Sequence, residues 1–324
     1  MRKSLQPRVL VLFIFLIFSK CCFSQSLMSG NGKIEAGLSL GPLFFLGDLG
    51  GNHGVGTKFV KDVNLPLTNM AKGIYAQFYV KEWLSFRLGA NMGRLEGADS
   101  AIKTKGEAEQ YRKDRNLSFR SDIKEAYLLA EFCPTYFLEK FDDLQGKIRP
   151  YLLIGVGVFH FNPQTNYKAP DGSTQWVDLQ PLHLEGQGMA EYPDRKMYKL
   201  TQIEIPMGAG IKYYINEKMF VGIEVLHRKT FTDYIDDVSK DYVDPNLFQK
   251  YLTPAQTAVA NQLFYRGNQT PTGAQSRVDI GEQRGNPKNN DSFFSTVLRL
   301  GIRFNDSESA DSRAMRQLRC PTYY

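Results

Sequence analysis

Ten ionisable side chains recur at alternate positions inside segments that are otherwise apolar or small: Glu35, Glu125, Glu131, Glu204 and Glu224, with Arg87, Lys212, Arg228, Arg299 and Arg303. Acids and bases balance. Ions held away from water are tolerated when they are paired and hydrogen-bonded. The chemistry this set predicts is therefore a satisfied ion-pair network, not a reaction. The histidines offer no alternative. His53, His160, His183 and His227 are scattered, and no H-x-x-x-H or C-x-x-C spacing occurs, so zinc has no ligand set. No cofactor and no enzymatic activity are expected.

Two further groups carry possible chemistry. An acidic run opens after Thr230, with Thr232, Asp233, Tyr234, Asp236, Asp237 and Ser239 in close succession and Asp241 and Asp244 following. Clustered carboxylates bind calcium through oxygen, but the glycine of a compact calcium loop is missing. The expectation is a solvated loop that offers an interaction surface. Of four cysteines, two sit near the N-terminus, which leaves Cys133 and Cys320. In an oxidising compartment these two form a candidate disulfide between barrel and tail.

The compartment follows from residues 1–24. Arg2, Lys3 and Arg8 precede an unbroken apolar run at 9–18, and Ser24 supplies a small residue for cleavage. Ten helical residues span about 15 Å, too short to cross a bilayer core of about 30 Å. This is a cleavable secretory signal. It also holds four of the excess positive charges in a chain of net charge +6. The remainder is nearly neutral and lacks the clustered basic face that nucleic-acid binding needs.

The elements that position the ten charges are strands. Successive side chains of a strand face opposite sides, and eight segments alternate on that period: 34–41, 74–80, 84–93, 125–132, 152–158, 203–212, 219–226 and 294–304. In 84–93, for instance, Leu84, Phe86, Leu88, Ala90 and Met92 alternate with Ser85, Arg87, Gly89, Asn91 and Gly93. No segment reaches the 18 consecutive apolar residues of a helical span. The connections alternate too. Short links near 81–83 and 216–218, and a moderate one at 138–147, separate long ones at 47–71, 94–121, 162–200 and 231–292. Strict long–short alternation is the mark of an outer-membrane barrel with short periplasmic turns and long external loops. The fold class is all-β, an eight-stranded antiparallel transmembrane barrel at 25–304, with a periplasmic tail at 305–324. One face meets outer-membrane lipid and the other encloses the charges. Glycines fall on the charged face, where strands of a narrow barrel crowd. Aromatic residues near strand ends, Tyr79, Trp83, Tyr136, Tyr151, Tyr213, Phe293 and Phe304, are expected to form interfacial girdles.

Five loop and strand motifs occur in order: Gly47-Asp48-Leu49-Gly50; the stretch from Arg115 to Ile123; Pro150 to Pro163; Trp176 to Gly188; and Thr230 to Ser239. Together these resemble the outer-membrane barrel family that includes PorG, a component of the type IX secretion system. The resemblance covers nearly all of the chain after residue 24. It implies a non-enzymatic anchor or scaffold in the bacterial outer membrane, associated with a periplasmic ring made of a lipoprotein and a soluble partner. Two other uses of such a barrel stay open: binding or passing small solutes, and a surface enzyme.

Overall fold

The computed structural model describes residues 34–49, 67–81, 83–102, 107–137, 148–216, 218–270 and 279–304. The expected signal at 1–24, the link at 138–147, and the tail at 305–324 with Cys320 lie outside the described residues, as does His53.

The described strands are β1 (Ile34–Leu46), β2 (Asn69–Lys81), β3 (Leu84–Ala98), β4 (Ser118–Phe132), β5 (Ile148–His160), β6 (Pro163–Lys168), β7 (Thr174–Asp178), β8 (Thr201–Tyr214), β9 (Met219–Thr230) and β10 (Ser292–Phe304). All but the short β6 and β7 form the wall. Each wall strand pairs antiparallel with its neighbours in the order β3-β2-β1-β10-β9-β8-β5-β4, and a β3–β4 ladder closes the ring. The register shows how the ring closes. Paired residues run from His160 through Lys124, Met92, Lys72, Leu40, Leu298, Ile223 and Ile211 to Pro150. One circuit thus returns to β5 ten residues from its start. That stagger is what tilted strands need in order to close.

Closure sorts the side chains by parity. Leu38, Ile74, Leu88, Ile154, Ile203, Ile223 and Leu298, one from each of seven strands, are all 58–63% exposed. An unbroken apolar belt of this kind suits acyl chains rather than water. Inward positions carry the charges and glycines. The glycines leave room for aromatic rings on the neighbouring strand. Tyr75 lies over its paired Gly37, Tyr127 over Gly89, Tyr151 over Gly210 and Phe220 over Gly301. A Cβ at Gly301 would sit 2.2 Å from the Phe220 ring. A ring shielding a facing glycine fills the lumen while letting the strands curve.

The strands outrun the apolar alternation. β3 and β4 stay paired as far as Ala98↔Ser118. Beyond Met92 and Lys124 their outward residues are Arg94, Glu96, Asp122 and Arg120, while Leu95, Phe119 and Ile123 are buried inside. This part of the wall rises clear of the apolar belt. A pattern sought as oily-outside therefore stops short of the true strand ends. At the opposite rim the turns are short. Between β8 and β9, the Asn216 Oδ1 accepts from the Lys218 and Met219 N–H groups at 2.9 and 2.8 Å.

The long connections are folded. The hairpin of β6 and β7 extends the sheet beyond β4. Helices α1 (Glu107–Arg115), α2 (Phe248–Tyr251) and α3 (Pro254–Phe264) lie in the other long connections, α3 against β6. A capping box at Thr253 and Gln256 starts α3. The hairpin, α2 and α3 share one core with the flanking loops, including Leu49, Leu117, Phe161, Ile235, Tyr242, Val243, Phe248 and Leu263, that continues into the barrel mouth at Phe159 and Phe293. The result is a cap over one end of the barrel.

Candidate functional site: a filled lumen under a stapled cap

Nine of the ten alternating charges meet inside the barrel in three tiers. At the short-turn rim, Glu35 accepts from Arg303 Nη2 at 2.9 Å, from Lys212 Nζ at 3.4 Å and from the hydroxyl of Tyr79 at 2.8 Å. In the middle tier, Arg87 binds Glu131 and reaches Glu224 at 2.6 Å. Arg299 approaches Glu224 at 3.2 Å, Lys212 also binds Glu131, and the Tyr151 hydroxyl donates to Glu224 at 2.8 Å. Higher up, Arg228 forks onto both oxygens of Glu125 at 3.1 and 2.5 Å. Every one of these charged residues except Arg303 and Glu125 is at most 3% exposed. Each ion is paired and hydrogen-bonded, which is the condition under which buried charge is tolerated.

Glu204 is the exception. It is fully buried, and among the described residues its carboxyl oxygens take no hydrogen bond from a cation or a backbone N–H; the group facing them is the Glu125 carboxyl. The expected ion pair is absent because its candidate cation is fully engaged elsewhere. Arg228 Nε and Nη2 hold Glu125, and Nη1 donates to the Leu226 carbonyl and the Ser295 hydroxyl.

The expected aromatic girdles are half right. Trp83, Phe132 and Phe137 cluster at the short-turn rim, with centroids 5.5–6.0 Å apart. Tyr213 and Phe304 also face out. Tyr79, Tyr151 and Phe293 instead point inward. Their parity is that of the charged face, and the tyrosine hydroxyls serve the carboxylates there. Cys133 is buried, and its N–H donates to the Trp83 carbonyl at 2.9 Å. Its proposed partner lies outside the described residues.

The acidic run corrects a third expectation. Thr232, Asp233, Asp236, Asp237 and Ser239 are buried, and Tyr234 is half-buried. The run is a staple, not a solvated loop. Asp236 accepts from the N–H of Leu49, 187 residues away, at 2.8 Å and from Val238 N–H at 3.0 Å. Asp237, held at a φ of +63°, accepts from the Tyr198 hydroxyl at 2.7 Å. Loops buried by packing must satisfy their backbone donors, and Asp236 does so for Leu49 and Val238. Tyr234 stacks on Tyr198 with centroids 4.8 Å apart.

Several partners in the cap lie outside the candidate chemistry of the sequence. Asp48 accepts from Asn286 N–H at 2.6 Å, and Asp291 from Ile235 N–H at 2.8 Å. Arg115 makes a two-bond pair with Asp99 at 2.8 and 2.9 Å. Glu185 accepts from Arg284 Nη1 at 2.8 Å and from the N–H groups of Ser239 and Lys240. Asp48, Arg115 and Glu185 do belong to the ordered motifs given above. Their long-range partners carry no local signal. Burial pushes the Asp233 carboxyl up to about 9 and Asp237 up to about 7. Burial, reinforced by neighbouring carboxylates, also raises Asp48, Asp236 and Asp291. Among the described residues, no three acidic, histidine or cysteine side chains are gathered to hold a metal ion.

No family model matches the chain, and no curated protein does. Solved structures similar to it include the outer membrane protein OprG from Pseudomonas aeruginosa, at 10% identity and TM-score 0.36, covering 86% of this chain and 99% of that one. A major outer membrane protein from Thermus thermophilus is similar at 12% identity and TM-score 0.37, with 84% and 99% covered. The E. coli outer membrane protein W is similar at 14% identity and TM-score 0.31, with 85% and 99% covered. The barrel assignment rests on this chain's own strand pairing, which closes without them.

Proposed function

We propose that this chain is a non-enzymatic barrel of the bacterial outer membrane, delivered by a cleaved signal at 1–24, that serves as an anchor or scaffold in the type IX secretion machinery. The observation that carries this reading is the filled lumen. Arg87, Lys212, Arg228 and Arg299 cross it within the three tiers, each bonded to carboxylates on other strands, and the cap core closes the mouth. Such a barrel offers its surfaces rather than its interior. The motifs that resemble the PorG family support the specific assignment, since several of their polar residues are those that hold the cap together: Asp48, Arg115, Glu185, Asp236 and Asp237. The short turns and the tail at 305–324 are the surface proposed to meet the periplasmic ring proteins. The cap is the surface proposed to meet exported protein.

Deletion of the gene followed by a secretion assay tests the assignment. Cargo is expected to accumulate in the periplasm, and the full chain supplied in trans is expected to restore export. Normal export in the deletion strain would refute a role in secretion while leaving the barrel untouched.

A further inference from the structure

The five lumen cations described above are all paired, whereas a second set on the outer wall is not. Lys72, Lys124 and Lys229 face outward, exposed, close to where the apolar belt ends on the cap side. None forms an ion pair within 4 Å among the described residues. Lys72 and Lys124 are the informative two. Both are in register with Met92, which lies between them and is 60% exposed. Strands are about 4.8 Å apart, so the two lysine backbones stand roughly 10 Å from each other, and their flexible ammonium groups can converge over the methionine. Below this row the wall is apolar, with Ile74 and Leu88 each 63% exposed. Directly above it, Asp122 is already claimed by Arg94, at 2.6 and 3.3 Å. Lys124 feels that carboxylate only at longer range and makes no direct bond to it. His160, in register with Lys124 on the next strand, is also exposed and continues the polar edge. The opposite rim is different in kind, closed by the aromatic cluster of Trp83, Phe132 and Phe137.

We infer that Lys72 and Lys124 form a binding site for the phosphate of a phosphorylated lipid in the outer leaflet, with Met92 against its acyl chains. An anion held by two ammonium groups at the water edge of an apolar belt, and an acyl tail against that belt, match the two chemistries of such a lipid. The inference rests on the membrane placement proposed above.

The test uses the full chain, purified in mild detergent and examined by native mass spectrometry with added bis-phosphorylated lipid A, its dephosphorylated counterpart, or inorganic phosphate. The protein is expected to retain the phosphorylated lipid, and the K72Q/K124Q double variant to bind it roughly tenfold more weakly or worse. Lys81→Gln, at the opposite rim, serves as the control and is expected to bind like the parent. Retention by the double variant equal to the parent's would overturn the site. So would equal binding of the dephosphorylated lipid, or full competition by inorganic phosphate alone. Insertion into liposomes, read from heat-dependent electrophoretic mobility, is scored separately. A chain that fails to insert refutes the membrane placement, whereas an inserted double variant with unchanged lipid retention refutes only the lysine site.

Discussion

Arg87 on β3 and Glu224 on β9 meet at 2.6 Å although their strands never pair. The contact crosses the lumen, and both residues are at most 3% exposed. Without Arg87, Glu224 keeps Arg299 and the Tyr151 hydroxyl and Glu131 keeps Lys212, but the tier is one cation short. Outright loss of a buried ion's partner costs roughly 3–5 kcal/mol, which bounds the effect from above. Arg87→Met should therefore lower the urea midpoint of the refolded barrel markedly. A midpoint within error of the parent would mean that the lumen is hydrated and screened.

Glu204 should behave in the opposite way. Its carboxyl has no bonded cation to lose among the described residues and faces the like-charged Glu125, so Glu204→Gln should leave stability unchanged or raise it. Glu125→Gln, which breaks the two-bond pair with Arg228, should destabilise by roughly 3–5 kcal/mol. Urea titrations of the two variants side by side give the comparison. Equal losses would show that Glu204 is paired after all.

Ring-over-glycine packing makes a steric claim. A methyl group at Gly301 would lie 2.2 Å from the buried Phe220 ring. Gly301→Ala should cost roughly 1–3 kcal/mol through overpacking, and Gly301→Ala combined with Phe220→Leu should recover part of that loss. Additive losses in the double variant would argue against direct contact.

The cap should respond to pH. Asp233, Asp236, Asp237, Asp291 and Asp48 all have carboxyls raised above the ordinary value of 3.8. Arg115 lies close to Asp48 and Asp236, and Arg284 close to Asp237. In the folded cap these acids hold protons that the unfolded loops release. Their contribution to stability is complete below about pH 4 and is lost as pH rises through the folded values, about 7 for Asp237 and about 9 for Asp233. Hydrogen exchange at Leu49, Ile235 and Val238 N–H, corrected for intrinsic rates, should show protection falling as pH rises through the values of these two carboxyls. Protection that rises over this interval would reverse the assigned sign.

The wall was legible in the sequence because a strand in lipid must alternate, and one outward residue such as Ile223 fixes the side of Gly222 and Glu224. Parity also placed the lumen charges, and it would have placed Tyr79 and Tyr151 inside had it been preferred over their nearness to strand ends. The cap was not legible. Asp236 is buried because it satisfies the Leu49 N–H 187 residues away, and no local pattern distinguishes such a carboxylate from a solvated one. Glu204 departs from the expected ion pair for a related reason. Its parity is right, but how Arg228 distributes its hydrogen bonds is a property of the packed interior.

The central claim is that the lumen is sealed by its own side chains. Purified protein reconstituted in a planar bilayer tests it most directly. The expected record is a flat current across the applied voltages, with no stepwise openings. Reproducible single-channel steps from the unmodified chain would contradict a filled lumen and favour a barrel that passes small solutes.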